Sequence, residues 1–145
     1  MDHYLEFISN HSMLVLALAV VTFLLIKELV ETLFSRFETL SPMQVVAKMN
    51  SEALVIVDVR DAPEFVLGHI DSAINLPLGR LKDDTKTLAP YKHQPVLVVC
   101  QTGTRSAPAC NVLSKMGFEK VAHLDGGMQA WEDHKLPIKI SSKNK

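Results

Sequence analysis

Hydrophobic residues follow two different patterns along the chain. Residues 7–26 carry no charge, and within them residues 14–26 are apolar on every side apart from Thr22, with no polar stripe at helical spacing. In water such a helix would need burial all round, which the rest of a 145-residue chain is too small to give. The strongly apolar stretch, residues 13–26, is fourteen residues long. At about 1.5 Å per residue it covers roughly two-thirds of a hydrocarbon core of about 30 Å. It can lengthen through Phe7 and Ile8 upstream and through Leu29, Val30, Leu33, Phe34 and Phe37 downstream, with Lys27 snorkelling. A cleaved signal peptide would begin with basic residues and end at a small-x-small site, whereas here Asp2 and Glu6 precede the run and Lys27 and Glu28 follow it. The pattern predicts one transmembrane helix with an amphipathic juxtamembrane extension over residues 1–38. An uncleaved signal-like segment and a buried oligomerisation helix are the alternatives. No Lys or Arg precedes the span, while Lys27 and Arg36 follow it, so the positive-inside rule places the remainder of the chain in the cytoplasm.

From residue 39 the pattern changes to short apolar runs separated by helix signals. Ser41 as N-cap and Pro42 at the first helical position open a helix through Val45, Val46 and Met49. Residues 54–59 are a β-branched run of the kind found in a sheet covered on both faces. Asp61 with Glu64 three residues later then starts a helix, with Pro63 inside its first turn. A short strand over residues 73–76 is stopped by Pro77, and residues 79–93 are broken, with brief helices around Leu81 and Leu88. Residues 96–100 form a second buried strand. A helix from about Ser106 to Met116 carries Ala109, Val112, Leu113 and Met116 on one face and ends at Gly117. Residues 120–124 give a further strand, and Gly126 and Gly127 open a last helix with Ala130 and Trp131. This alternation predicts an α/β domain over residues 39–138, a three-layer α/β/α sandwich on a mainly parallel sheet, followed by a flexible tail over 139–145.

Composition narrows the function. A net charge of −1 and a pI near 6.6, with 48% hydrophobic and 21% charged residues, exclude a disordered chain and a polybasic nucleic-acid binder. Two cysteines cannot build a disulfide framework or a four-ligand zinc site, and the six histidines have no metal spacing, so no metal or cofactor is expected. The cysteines matter, if at all, as thiols. Cys100 ends a predicted parallel strand, where open α/β sheets bind ligands. The five-residue loop after it has Gly103 at its centre and can turn backbone N–H groups inward, and Arg105 and the helix beginning near Ser106 both favour thiolate over thiol. A cysteine ending an apolar strand is more often packing; its conjunction with this loop and arginine makes Cys100 the candidate nucleophile. Cys110, further along the helix, reads as a small core residue, with a resolving thiol as the alternative.

Several motifs in order carry a family resemblance. They are Asp58-Val59-Arg60; Glu64-Phe65-x-x-Gly68-His69-Ile70; Ala73-x-Asn75-x-Pro77; Cys100-x4-Arg105-Ser106; and Leu124-x-Gly126-Gly127-x3-Trp131. Together they resemble a single-domain rhodanese. The resemblance implies a five-stranded parallel sheet and a sulfurtransferase in which Cys100 attacks the outer sulfur of thiosulfate, or of a persulfide donor. The N–H groups of Gln101, Thr102, Gly103, Thr104 and Arg105 would stabilise the resulting persulfide, and a thiol or cyanide would then take the sulfur. Arg105 would clamp the sulfonate oxygens. Asp58, Arg60 and Glu64 would hold the strand-to-helix turn without touching substrate, and Gly126 and Gly127 would be structural. Related folds that act on phosphate or arsenate use Cys-x5-Arg, one residue longer, so the spacing here favours sulfur. An apolar helix before such a domain is similar to the small membrane-anchored rhodanese-like proteins of Gram-negative bacteria, which implies an inner-membrane protein. The alternative is a membrane-tethered interaction or sulfur-relay module with little turnover of its own.

Overall fold

The computed structural model describes residues 11–33 and 37–141, which fall in two compact units. In the first, α1 (Ser12–Leu33) is a single 22-residue helix. At about 1.5 Å per residue it is roughly 33 Å long. The window Ser12–Val30 has a mean hydropathy of 2.5 and none of it is buried, so α1 is long and apolar enough to cross a membrane. Its one polar apolar-run residue, Thr22, donates its hydroxyl back to the Leu18 carbonyl at 2.8 Å, which satisfies the group without water. The extension expected through Phe7, Ile8 and Phe34, and the charges of Asp2, Glu6 and Arg36, lie outside the described residues.

The second unit runs β1 (Phe37–Leu40), α2 (Pro42–Ser51), β2 (Val55–Asp58), α3 (Ala62–Leu67) and β3 (Ile74–Asn75). A segment with a short helix, α4 (Thr85–Leu88), flanked by two 3₁₀ turns, leads to β4 (Pro95–Val99), α5 (Ser106–Lys115), β5 (Lys120–Leu124) and α6 (Gly127–Asp133). The five strands form one sheet in the order β1-β5-β4-β2-β3, every pair parallel. Period-2 alternation splits the buried residues between its faces. Val57, Val96 and Val98 pack with Leu81, Leu88 and the α5 residues Ala109, Cys110 and Leu113. Ile56, Leu97 and Val99 pack on the other side with Val45 of α2 and with Met128 and Trp131 of α6. The result is the expected three layers.

Helix starts follow the sequence signals. Ser41 accepts from the Gln44 N–H while the Gln44 side chain accepts from the Ser41 N–H at 2.9 Å, closing a capping box behind Pro42. Because β2 is followed by β3 on one side and β4 by β5 on the other, the order reverses at β4. The crevice that such a reversal opens lies beyond the β4 C-terminus, where Cys100 sits.

Two expectations are corrected. Phe37, expected on an amphipathic extension of the N-terminal helix, begins β1 and pairs with Val121. Four residues reading Phe-Glu-Thr-Leu, two of them exposed, carry too little alternation to announce an edge strand. The tail, expected to be flexible over 139–145, is held as far as Ser141. Lys139 and His69 exchange backbone hydrogen bonds at 3.0 and 2.7 Å, the Ser141 N–H donates to Val66 O at 3.2 Å, and the Trp131 indole donates to Pro137 O at 3.0 Å. Residues 142–145 lie outside the described residues.

Candidate active site at the end of the fourth strand

β4 delivers Cys100 to the sheet edge as a buried residue. The Gly103 N–H donates to its sulfur at 3.0 Å. Gly103 has φ +97°, the left-handed region that turns this N–H inward and that residues with a Cβ avoid. The carbonyls of Cys100 and Gln101 are taken by α6. Met128 N–H donates to Cys100 O at 2.8 Å and Gln129 N–H to Gln101 O at 3.0 Å. The unpaired N–H groups of the first turn of α6 are thus satisfied by the cysteine loop itself. This contact explains Gly127, where a Cβ would run into Cys100 O and stand 2.7 Å from the Gln101 carbonyl carbon. At Gly126, with φ +70°, a Cβ would come within 2.6 Å of the Ala130 Cβ.

The far side of the loop is braced by side chains. The Ser106 hydroxyl donates to Gly103 O at 2.9 Å and meets His123 Nδ1 at 3.1 Å; His123 Nε2 meets the Thr39 hydroxyl at 2.9 Å. Since Ser106 gives its proton to Gly103 O, Nδ1 is the donating nitrogen of the imidazole, and Nε2 accepts from Thr39. Burial holds the His123 pKa below the ordinary value, favouring this neutral form. The Thr102 and Thr104 hydroxyls meet at 3.0 Å on the exposed rim.

Asp58 and Arg60, both almost wholly buried, form a close ion pair with Nη2 to Oδ2 at 2.7 Å. Arg60 Nε reaches the same carboxylate at 3.0 Å. The guanidinium also donates to Gly68 O at 2.7 Å and to the Gln101 side-chain oxygen at 3.1 Å. Asn75 caps the same corner, donating to Asp58 O at 3.2 Å and Arg60 O at 2.9 Å. Asp58 and Arg60, expected to hold the strand-to-helix turn, are thus joined to each other, to Gly68 and to Gln101 of the cysteine loop.

Arg105, expected to clamp the sulfonate oxygens, is paired with a carboxylate. Its Nη1 and Nη2 donate to the two Glu64 oxygens at 2.9 and 2.8 Å, a bidentate ion pair. Glu64 also accepts from the Asp61 N–H at 3.2 Å, as the turn required, but reaches past the turn to the loop. The Arg105 hydrogen bonds hold the Glu64 carboxyl down to a pKa of about 2, and Glu64 in turn raises that of Arg105. Beside them lies a cleft of about 210 Å³ lined by Arg60, Glu64, Leu67, Gly68, Gln101 and Glu132.

Cys110 is buried in the core with its thiol 3.6 Å from Ala122 O, and burial, with the nearby Cys100, pushes its pKa up to about 12. Both cysteines are free. Sequence reasoning missed the Gln101 side chain, Asn75 as a bracket, and the Thr39–His123–Ser106 chain. The Ser after the loop arginine was a signal for the last; His123 gave none, since nothing in spacing links it to Ser106. Among the described residues no group of three His, Cys, Asp or Glu side chains is placed to hold a metal ion.

Comparison with known proteins gives a consistent picture. Residues 41–134 match the rhodanese-like domain family. The thiosulfate sulfurtransferase GlpE of Shewanella oneidensis is 38% identical over 104 residues, covering 68% of this chain and 96% of that protein. An uncharacterized Synechocystis protein, slr1261, is 35% identical over 73% of this chain, which spans 58% of its length. The uncharacterized protein YibN of Escherichia coli K12 is 28% identical over 95% of this chain and 97% of its own. A rhodanese-related protein from Thermoplasma volcanium superposes with a TM-score of 0.66 at 27% identity, covering 72% of this chain and all of that one.

Proposed function

The chain belongs to the rhodanese family, and on that footing we propose that it moves a sulfane sulfur from thiosulfate or a persulfide donor to a thiol or cyanide acceptor through a persulfide on Cys100. The observation that carries this is the Gly103 N–H aimed at the Cys100 sulfur from 3.0 Å, in a loop that both α6 and Ser106 hold in shape. The Cys100 thiolate attacks the donor's outer sulfur, the donor's S–S bond breaks, and sulfite (or the donor thiolate) leaves with the electron pair. Negative charge then rests on the outer sulfur of the persulfide, where inward N–H groups between Gln101 and Arg105 lower its energy. The acceptor thiolate attacks that sulfur and Cys100 is released as thiolate, so no cofactor or outside oxidant enters the cycle. Asp58, Arg60 and Gln101 position the loop. Gly126 and Gly127 allow α6 to close on it.

The apolar α1 supports an anchored protein, with Ser12–Val30 as a single-pass membrane segment and the catalytic domain after it in the cytoplasm, the side that Lys27 and Arg36 favour. Protease added to intact spheroplasts then leaves the domain uncut; digestion there inverts the topology.

The chemical test is to incubate the purified full chain with thiosulfate or cysteine persulfide and record its intact mass, alongside Cys100→Ala and Cys110→Ala. Gain of one sulfur atom in all but the Cys100 variant is expected. No gain with either donor would favour a specialised donor or an interaction role without turnover.

A further inference from the structure

Each arginine beside the cysteine loop is already matched. Arg60 is buried against Asp58, its other N–H groups turned to Gly68 O and Gln101. Arg105 gives both terminal nitrogens to Glu64, in a pair with side chains 34% and 37% exposed. That exposure leaves the pair open to competition from an entering anion. Asp61 adds a second carboxylate field to the same guanidinium, and Glu132 stands on the wall of the adjoining cleft. Against these two guanidiniums stand four carboxylates: Asp58 on Arg60, Glu64 and Asp61 acting on Arg105, and Glu132 on the cleft wall.

Thiosulfate brings two negative charges to this site and must approach a Cys100 that reacts as an anion. To grip its sulfonate, Arg105 would have to leave Glu64 or share its N–H groups with both anions. Sharing places the dianion next to the carboxylate. A donor with one charge meets roughly half that repulsion and does not need the guanidinium freed.

We infer that Glu64 selects the sulfur donor by charge, keeping Arg105 in a bidentate pair so that the site disfavours dianionic thiosulfate and accepts sulfane-sulfur donors bearing a single negative charge. The inference rests on the sulfur-transfer reading above. Glu64 does not touch the reacting sulfur; it acts through Arg105 and is a positioning residue.

Methanethiosulfonate isolates the charge. The Cys100 thiolate attacks its terminal sulfur, the S–S bond breaks and methanesulfinate leaves with the electron pair, as sulfite leaves from thiosulfate. The same bond is broken, with a methyl group replacing one charged oxygen. The experiment measures kcat/KM for both donors with the full chain in detergent, cyanide as acceptor and thiocyanate as the readout. Cys100→Ala serves as blank. Glu64→Gln keeps the side chain's size and an oxygen that can accept from Arg105 and from the Asp61 N–H. The wild type should prefer methanethiosulfonate, and Glu64→Gln should shift the ratio toward thiosulfate by about tenfold, mainly through KM, the scale of one unit charge roughly 6 Å away in partly screened surroundings. A ratio that stays within about twofold, or thiosulfate use that collapses while methanethiosulfonate use survives, overturns the inference. A second measurement needs no variant: added salt must improve thiosulfate relative to methanethiosulfonate in the wild type, and the opposite trend also overturns it. If neither donor loads Cys100 in the wild type, the sulfur-transfer reading itself falls. That outcome is distinct from equal use of both donors, which refutes only the selection.

Discussion

The Ser106 hydroxyl and His123 Nδ1 meet at 3.1 Å, and through this contact Gly103, whose N–H faces the Cys100 sulfur, is tied to the edge strand carrying Thr39. Ser106→Ala removes a partner from both Gly103 O and His123. The expected result is a loss of about 1–3 kcal/mol in denaturant unfolding, the scale of leaving part-buried polar groups unsatisfied, with slower sulfur transfer. Unchanged stability and rate would mean the chain does not brace the loop.

The same imidazole predicts a pH dependence. Its folded pKa lies below the ordinary 6.5, so the unfolded chain takes up the proton first. Stability from this group is full above 6.5 and is lost as pH falls through the lower folded value. Stability plotted against pH should run parallel for wild type and His123→Gln above 6.5 and fall more steeply for wild type below it; parallel profiles on both sides would refute the assignment.

At lower pH the Glu64 carboxylate contributes in the same sense. With a folded pKa of about 2 against 4.5, its share of stability is present above 4.5 and disappears as pH falls towards 2. Because the pair is more than a third exposed, the effect is modest. Acid titration of unfolding in Glu64→Gln should show a shallower limb over this interval, and an identical limb would refute the assignment.

Cys110 is expected to stay a thiol throughout the working range. Its folded pKa of about 12 against 9.0 means that stability from burying the neutral form is intact below 9.0 and lost as pH rises towards 12. Cys110→Ala should lose about 1 kcal/mol from a small cavity while persulfide loading, read by peptide mass, remains on Cys100. Sulfur found on Cys110 would contradict its placement against Ala122.

Two glycines give opposite outcomes. Gly127→Ala drives a Cβ into the backbone of residues 100 and 101 at a φ of +60°, so a loss of about 2–3 kcal/mol together with sulfur transfer is expected. Gly79 has nothing within 4 Å of its would-be Cβ, and Gly79→Ala should leave stability and activity close to wild type. Thermal unfolding of the two variants, measured side by side with turnover, checks both.

Most of the sheet was legible because its central strands are continuous β-branched runs and its helices open with strong caps at Ser41 and Asp61. What escaped has a common cause: it depends on pairing across the chain. β1 has no local pattern of its own and exists because β5 offers it a ladder. A fragment begun at residue 39 would cut through it. Lys139 is fixed by His69, seventy positions earlier in the chain, and nothing near Ile138 announces that. At the site, Cys100, Gly103, Gly126 and Gly127 could be picked out from local geometry. The Arg105–Glu64 pair could not, because each residue had a plausible local duty and only the fold brings them face to face.

The pairing of β1 with β5 also bears on the order of events during synthesis. Thr39 and His123 are separated by 84 positions, so the first strand to leave the ribosome is hydrogen-bonded by the last. Until Lys120 is made, α1 is complete while β1 has no strand to pair with. The segment that can enter a bilayer is therefore finished well before the domain behind it can close.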